Sequence, residues 1–306
     1  SITARTVASP QLFAYDDCDD LEAALKRSIE EQYRVELLQA VAEQYYYNDF
    51  MWAEDAEMAM DDGAVADSST SAQPRTTPTR VEGEDFSGTN NQEAGVDEAD
   101  FVKTDGYHIY YLQGKNLHIF GVPEFGAIEA ASTMTFSDST PVAMMLDGDQ
   151  LVVISTMYPW AISNNHPVAD AMGWDEEYNM WRSNSLTKFT VIDITNRSQP
   201  EVDRELFIEG SYITAREVNG TVRTVTHAWM NVPGVSSWLN FPSGYWNLEY
   251  DDPLRLEIRE KLAFQQMQRN SEVLERLSLE DLIPQVYEYS NGEVVLHTMS
   301  DNACRE

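Results

Sequence analysis

Asp97, Glu98, Asp100 and Asp105 fall within nine residues of one another. Hard oxygen ligands at short spacing are what Ca²⁺ takes up, so these four are the first candidates for an ordered calcium site. The Asp-x-Asp-x-Asp-Gly spacing of an EF-hand loop is absent. The same side chains serve equally as turn formers, with Asp100 and Asp105 closing Asx turns and Glu98 pairing with Lys103. Asp147 and Asp149, on either side of Gly148, carry the same two readings.

A second chemistry is written in the aromatic residues. Six of the seven tryptophans lie between Trp160 and Trp246. Trp174 and Trp181 flank Asp175-Glu176-Glu177, while Trp238, Phe241, Tyr245, Trp246 and Tyr250 crowd one segment. Flat rings beside polar groups hold sugars or extended peptides, which makes Trp174, Trp181, Trp238 and Trp246 the candidate partner-binding residues. The alternative is that these rings pack the loops down. The Asp175-Glu176-Glu177 group also admits a glycosidase, which needs two carboxylates about 5–10 Å apart with separated pKa values. In a chain with 52 acidic residues such a pair arises by chance. The five histidines are dispersed, and the signatures of α/β-type serine hydrolases, P-loop nucleotidases and Rossmann dehydrogenases are missing.

Composition narrows the classes further. Against those 52 acids stand 20 basic residues, giving a net charge of −32 over 306 residues. Nucleic acid is excluded as a partner, because a phosphate backbone must be met by clustered Lys and Arg. An anionic bilayer surface is repelled for the same reason. Divalent cations and basic partners are favoured. No apolar run approaches the roughly 18 residues of a membrane span, and the first residues do not resemble a signal peptide. Cys18 and Cys304 are too few for a disulfide scaffold and fit no zinc pattern. They are a pair formed in an oxidising compartment, two independent thiols, or cysteines bonded to partners outside this chain.

The elements that must position these groups are legible in part. From Asp16 to about Tyr47, Leu21, Leu25, Ile29, Tyr33, Leu37, Leu38, Val41 and Tyr45 recur mostly three to four apart, which is one face of a helix. From Asp61 to Asp85, Ser, Thr and Pro replace any apolar period, predicting a linker. After Phe101 the period becomes two, and short strands are punctuated by Asp105-Gly106, Gly148, Asn219-Gly220 and Asn291-Gly292. That pattern is an antiparallel all-β array whose spacing suits four-stranded propeller blades of about 40–50 residues. Two stretches interrupt it: a loop near 158–182, and a helical insertion near 251–284 opened by Asp252-Pro253 and closed by Pro284.

The run Thr89-Asn90-Asn91-Gln92, then Gly95-Val96-Asp97-Glu98-Ala99-Asp100, then Val102-Lys103-Thr104-Asp105-Gly106 resembles one known family. It is similar to the secreted bacterial and archaeal proteins with a C-terminal β-propeller domain distantly related to WD40 repeats. Phe189–Ile194 and Asp281-Leu282-Ile283-Pro284 are similar to that family as well. The resemblance implies architecture and export to a periplasmic, surface or extracellular location; it implies no catalytic residue. The expected fold is mainly β, a partial β-propeller with helical insertions and an N-terminal α-helical segment. The expected domains are a helical segment over 1–60, a linker over 61–86 and the N-terminal part of a propeller over 87–306. About three blades are expected here, where closed propellers have about four to eight. The remaining blades would come from a longer or cleaved polypeptide or another copy. The leading function is a binding and scaffolding module for a protein, peptide or glycan partner, with Ca²⁺ as the one cofactor considered. The rival is a secreted, glycan-acting hydrolase.

Overall fold

Asp17 opens the first helix, α1 (Cys18–Ala42), by accepting the Asp20 amide on Oδ1 at 2.8 Å, which satisfies one of the orphan donors of a helix start. The structure is a computed structural model describing residues 15, 17–42, 80–81, 96–163, 165–175, 180–218, 220–228 and 231–297. Of Val96, Asp97, Trp174, Asp175 and Met180 only the backbone is described. Cys18 is disulfide-bonded, and the chain's other cysteine, Cys304, lies outside the described residues. So do most of the Ser/Thr/Pro-rich stretch and the last residues of the predicted helix. The fold divides into two compact units.

One unit, Glu43–Pro233 with Pro284–His297, is made of hairpins. Its first strands are β1 (Val96–Glu98), β2 (Val102–Thr104), β3 (His108–Gln113), β4 (Asn116–Gly121) and β5 (Glu129–Thr135). Then come β6 (Thr140–Asp147), β7 (Gln150–Met157), helix α2 (Pro167–Met172), β8 (Trp174–Asp175) and β9 (Met180–Trp181). The rest are β10 (Leu186–Asp193), β11 (Glu201–Glu209), β12 (Ser211–Val218), β13 (Thr221–His227), β14 (Val286–Ser290) and β15 (Glu293–His297). All pairings are antiparallel. Strands β2-β3-β4-β5 form a four-stranded meander, the unit expected from the sequence. Strands β6-β7-β10-β11 form a second.

The hairpin β14–β15 departs from the expected plan. It pairs onto β11, with Glu205 opposite Tyr289 and Ile208 opposite Val286, and so widens the second meander to six strands. This gives the free edge of β11 a partner. At its tip Asn291 and Gly292 have φ of 53° and 84°, the doubly positive turn whose twist suits a two-residue hairpin loop. A third sheet is equally non-local: β1 joins β12–β13, with Val96 opposite Val218.

The central strands β7 and β10 of the six-stranded sheet are largely buried on both faces, and the period of two divides the sheet's side chains between them. Met144, Leu151, Val153 and Ile192 face the first meander and pack on its Tyr110, Leu117 and Ile119. Met145, Ile154 and Phe189, one residue out of phase, face the third sheet and pack on Ala215, Tyr212 and Val222. Three antiparallel sheets stacked face to face are the packing of neighbouring blades. The stretch near 158–182, expected as a loop, contains α2 and the hairpin β8–β9. Pro167 starts α2, His166 Nδ1 accepts the Val168 amide at 3.3 Å, and Val168 and Met172 are buried in the core.

The other unit, drawn from Ser1–Ala42, Gly234–Ile283 and Thr298–Glu306, holds three α-helices among its described residues, joined by an irregular stretch from Gly234 to Asp252 with one 3-10 turn at Tyr245–Asn247. Asp252 caps α3 (Pro253–Leu274) by accepting the Leu254 amide at 2.9 Å, with Pro253 in the first position. The short α4 (Leu279–Leu282) starts at Ser278, whose amide and hydroxyl both donate to Asp281 Oδ2, and it ends before Pro284. Helix α1 packs along α3 and against α4. Its Leu37 is fully buried, and its Glu22 accepts the Leu279 amide at 2.9 Å.

Candidate functional site

Gly234 begins the segment that carries Trp238, the most exposed tryptophan among the described residues. Its φ of +78° is left-handed, and a Cβ there would lie 3.1 Å from Val273 Cγ1 on α3. Two residues on, Ser236 is clamped to α3. Its amide donates to Asn270 Oδ1 at 3.1 Å, and Asn270 Nδ2 donates back to the Ser236 carbonyl at 2.9 Å. Gln266 Nε2 donates to the same Asn270 oxygen at 2.9 Å. Asn270 is 2 % exposed, so this is a satisfied buried network. The Ser236 hydroxyl in turn accepts the Trp238 amide at 3.0 Å. Trp238 is thereby fixed at its backbone while its side chain stands 74 % exposed.

Beside it lies a shallow pocket of about 110 Å³ lined by Trp238, Leu239, Asn240, Leu262, Gln265, Gln266 and Arg269. The four α3 residues fall at positions i, i+3, i+4 and i+7, one stripe of the helix. Asn240, Gln265 and Arg269 make no side-chain hydrogen bond or ion pair among the described residues, and no carboxylate is among those lining the pocket. Further along, Phe241 stacks on Tyr245 at 4.2 Å between centroids, and Trp246 meets both rings edge-on at 5.4 and 5.1 Å. The Arg255 guanidinium lies 5.0 Å from the buried Tyr245 ring. Trp246 itself is 67 % exposed. A larger cavity of about 350 Å³ between α1 and α3 is lined by Arg27, Glu30, Glu31, Arg34, Met267 and Asn270. There Arg34 grips Glu31 through two hydrogen bonds of 2.7 and 2.6 Å, and the charges of the lining balance.

The polar groups within the stacked sheets behave differently. Asp105 Oδ1 accepts the Tyr107 and His108 amides, and Oδ2 accepts the Tyr110 hydroxyl and faces His108 Nδ1 at 3.0 Å. Arg197, in the β10–β11 turn, reaches Asp105 Oδ2 at 3.4 Å and also binds Asp149 and the Gly148 carbonyl. Burial opposes the Asp105 charge, yet the Tyr107 amide and His108 hold its carboxyl below its usual value. Burial, with the Asp105 charge beside it, pushes the Tyr110 phenol well up. Lys188 is 3 % exposed and sits 2.7 Å from both Asp138 and Glu205. Burial opposes the Asp138 charge too, and Lys188 more than offsets it, leaving that carboxyl low. The fully buried Glu209 accepts from Arg182 at 3.3 Å and from the Gln285 amide at 2.9 Å. These are clamps between strands and turns.

Three of the four candidate calcium ligands, Glu98, Asp100 and Asp105, have described side chains, and each has partners within the chain. Asp105 is saturated by its turn, Asp100 Oδ1 accepts the Phe101 amide at 2.7 Å, and Glu98 Oε1 pairs with Arg216 at 3.2 Å. The Asp97 side chain lies outside what is described. Lys103 reaches Glu98 through its backbone carbonyl at 2.5 Å. Among the described residues no three His, Cys, Asp or Glu converge as a metal site. Of the candidate tryptophans, Trp174 and Trp181 are cross-strand partners in β8–β9, and Trp181 packs against the core around Phe207 and Tyr287. The Asp175 side chain, Glu176 and Glu177 lie outside the described residues. Trp238 and Trp246 stand in solvent. Sequence reasoning missed the α3 stripe and its anchor Asn270, although Leu262, Gln265, Gln266 and Arg269 carry the helical spacing in plain view.

Comparison with known proteins agrees with the stacked sheets. An uncharacterized protein of Methanocaldococcus jannaschii is 29% identical over 170 residues, which is 55% of this chain and 21% of that protein. The chain thus matches about a fifth of the length of this curated relative. No solved structure matches it. A family model described as a beta propeller domain matches residues 86–303, the stretch that holds all fifteen described strands, and the chain belongs to that beta-propeller family.

Proposed function

We propose that this chain is an exported binding and scaffolding module, with stacked propeller sheets as its rigid frame and the Trp238 pocket as its ligand contact. One observation carries the reading. Trp238 is held at its backbone by a buried Ser236–Asn270 network yet presents its ring to water beside polar groups that have no partner among the described residues. Removing a large ring from water is favourable, so a fold that fixes one outside has it available for association. The disulfide at Cys18 supports export, since such bonds persist in oxidising compartments. Divalent cations enter this reading chiefly as counter-ions to the −32 charge.

The test is retention of ligand from an envelope extract of the producing cells. Immobilised protein and its Trp238→Ala and Trp246→Ala variants are compared at equal loading and equal melting temperature. Loss of most retained material in Trp238→Ala supports the site. Equal retention by all three removes it.

A further inference from the structure

We infer that the Trp238 pocket takes a single ring of a neutral glycan and binds it without cleaving it; this rests on the proposed function above. Three features of the lining select that ligand. The exposed indole offers a flat π-face to the C–H face of a pyranose. Asn240 and Gln265, unengaged among the described residues, each carry both donor and acceptor atoms, and Arg269 adds donors in a fixed fork. Hydroxyl groups, which donate and accept, are matched by amides; a methylene chain would leave them unpaired and costly. Leu239 and Leu262 complete an apolar wall.

Size and charge narrow the class. At about 110 Å³ the pocket is well below the 300–1,000 Å³ of sites that enclose a drug-sized ligand, which suits one ring of a longer chain lying across the surface. A polyanionic polysaccharide meets a protein of charge −32, and repulsion weakens that encounter. A proline-rich peptide needs a groove lined by several aromatic rings, whereas Trp238 is the one aromatic among the described residues lining this pocket. Hydrolysis needs a pair of carboxylates flanking the scissile bond. No Asp or Glu is among the described lining residues, so the site binds.

The experiment applies the intact protein to a printed array of neutral and acidic oligosaccharides and, in parallel, to an array of proline-rich peptides. Trp238→Ala, Trp238→Phe and the double variant Gln265→Ala/Arg269→Ala are run beside it. Unchanged melting temperatures establish that each variant is folded. The expected result is retention on neutral glycans, weakened at least about tenfold by Trp238→Ala and by the double variant, and largely preserved by Trp238→Phe. The bound glycan is recovered uncut. Trp238-dependent retention on peptides with none on glycans overturns the ligand class and leaves the site standing. Retention unaffected by Trp238→Ala on either array overturns the site itself.

Discussion

Two kinds of polar group sit in this molecule. Asp105, Lys188 and Glu209 lie among stacked sheets, and each is held by two or more partners of the chain itself. Asn240, Gln265 and Arg269 line the Trp238 pocket and have no side-chain partner among the described residues. The first kind is fold: a buried charge is tolerated only when paired. The second kind is available, because nothing inside the unit requires these side chains where they are. Charged residues are therefore poor guides to function in so acidic a chain, and unengaged amides beside an exposed ring are better ones.

Breaking one of the internal clamps is the largest expected effect. Lys188→Ala leaves Asp138 and Glu205 facing each other without their cation and costs about 3–5 kcal/mol, read from urea denaturation. Retention of ligand per folded molecule stays the same. A loss of ligand with no loss of stability would dissolve the distinction between the two regions. Asn270→Ala sharpens it from the other side. Removing the amide that grips Ser236 costs about 1–3 kcal/mol and also weakens ligand binding, because Trp238 loses its fixed backbone. The stability change and the affinity change should appear together in this variant, and binding alone should change in Gln265→Ala/Arg269→Ala.

Acid acts on the clamps and spares the pocket. The Asp105 and Asp138 carboxyls titrate below their usual 3.8 in the folded chain. Their contribution to stability is therefore complete above about pH 4 and is lost as pH falls through the lower folded values. A denaturation series from pH 6 to pH 2.5 should show the stacked sheets weakening only below about pH 4. Stability that rises on acidification through that window would contradict the assignment. The smallest effect is that of calcium. With Asp105, Asp100 and Glu98 engaged in turns and ion pairs, millimolar Ca²⁺ relieves general repulsion and raises the melting temperature by about 1–2 °C. A rise of about 10 °C would point to an ordered site.

Local chemistry is what the sequence made legible. Asn291-Gly292 specified a tight hairpin, Asp252-Pro253 a helix start, Ser278 through Asp281 a short helix, and Phe189–Ile194 a strand, which the structure places in β10. What stayed hidden depends on partners distant in sequence. β14–β15 joins β11 across more than seventy residues, and no local signal sets that register. The stretch near 158–182 reads as a loop because its apolar residues Ile162, Val168 and Met172 are sparse, although each is buried. Trp181 and Trp238 are the same residue type in similarly aromatic surroundings. One packs on a core and the other stands in water, because their neighbours in space differ.

The most direct test of the central claim is one pair of readings on Trp238→Ala: melting temperature and affinity for the ligand retained by the intact protein. Trp238 is 74 % exposed, so its removal should leave the melting temperature within about 2 °C while affinity falls at least about tenfold. Unchanged affinity, or a fall in melting temperature large enough to account for the loss, would contradict the account.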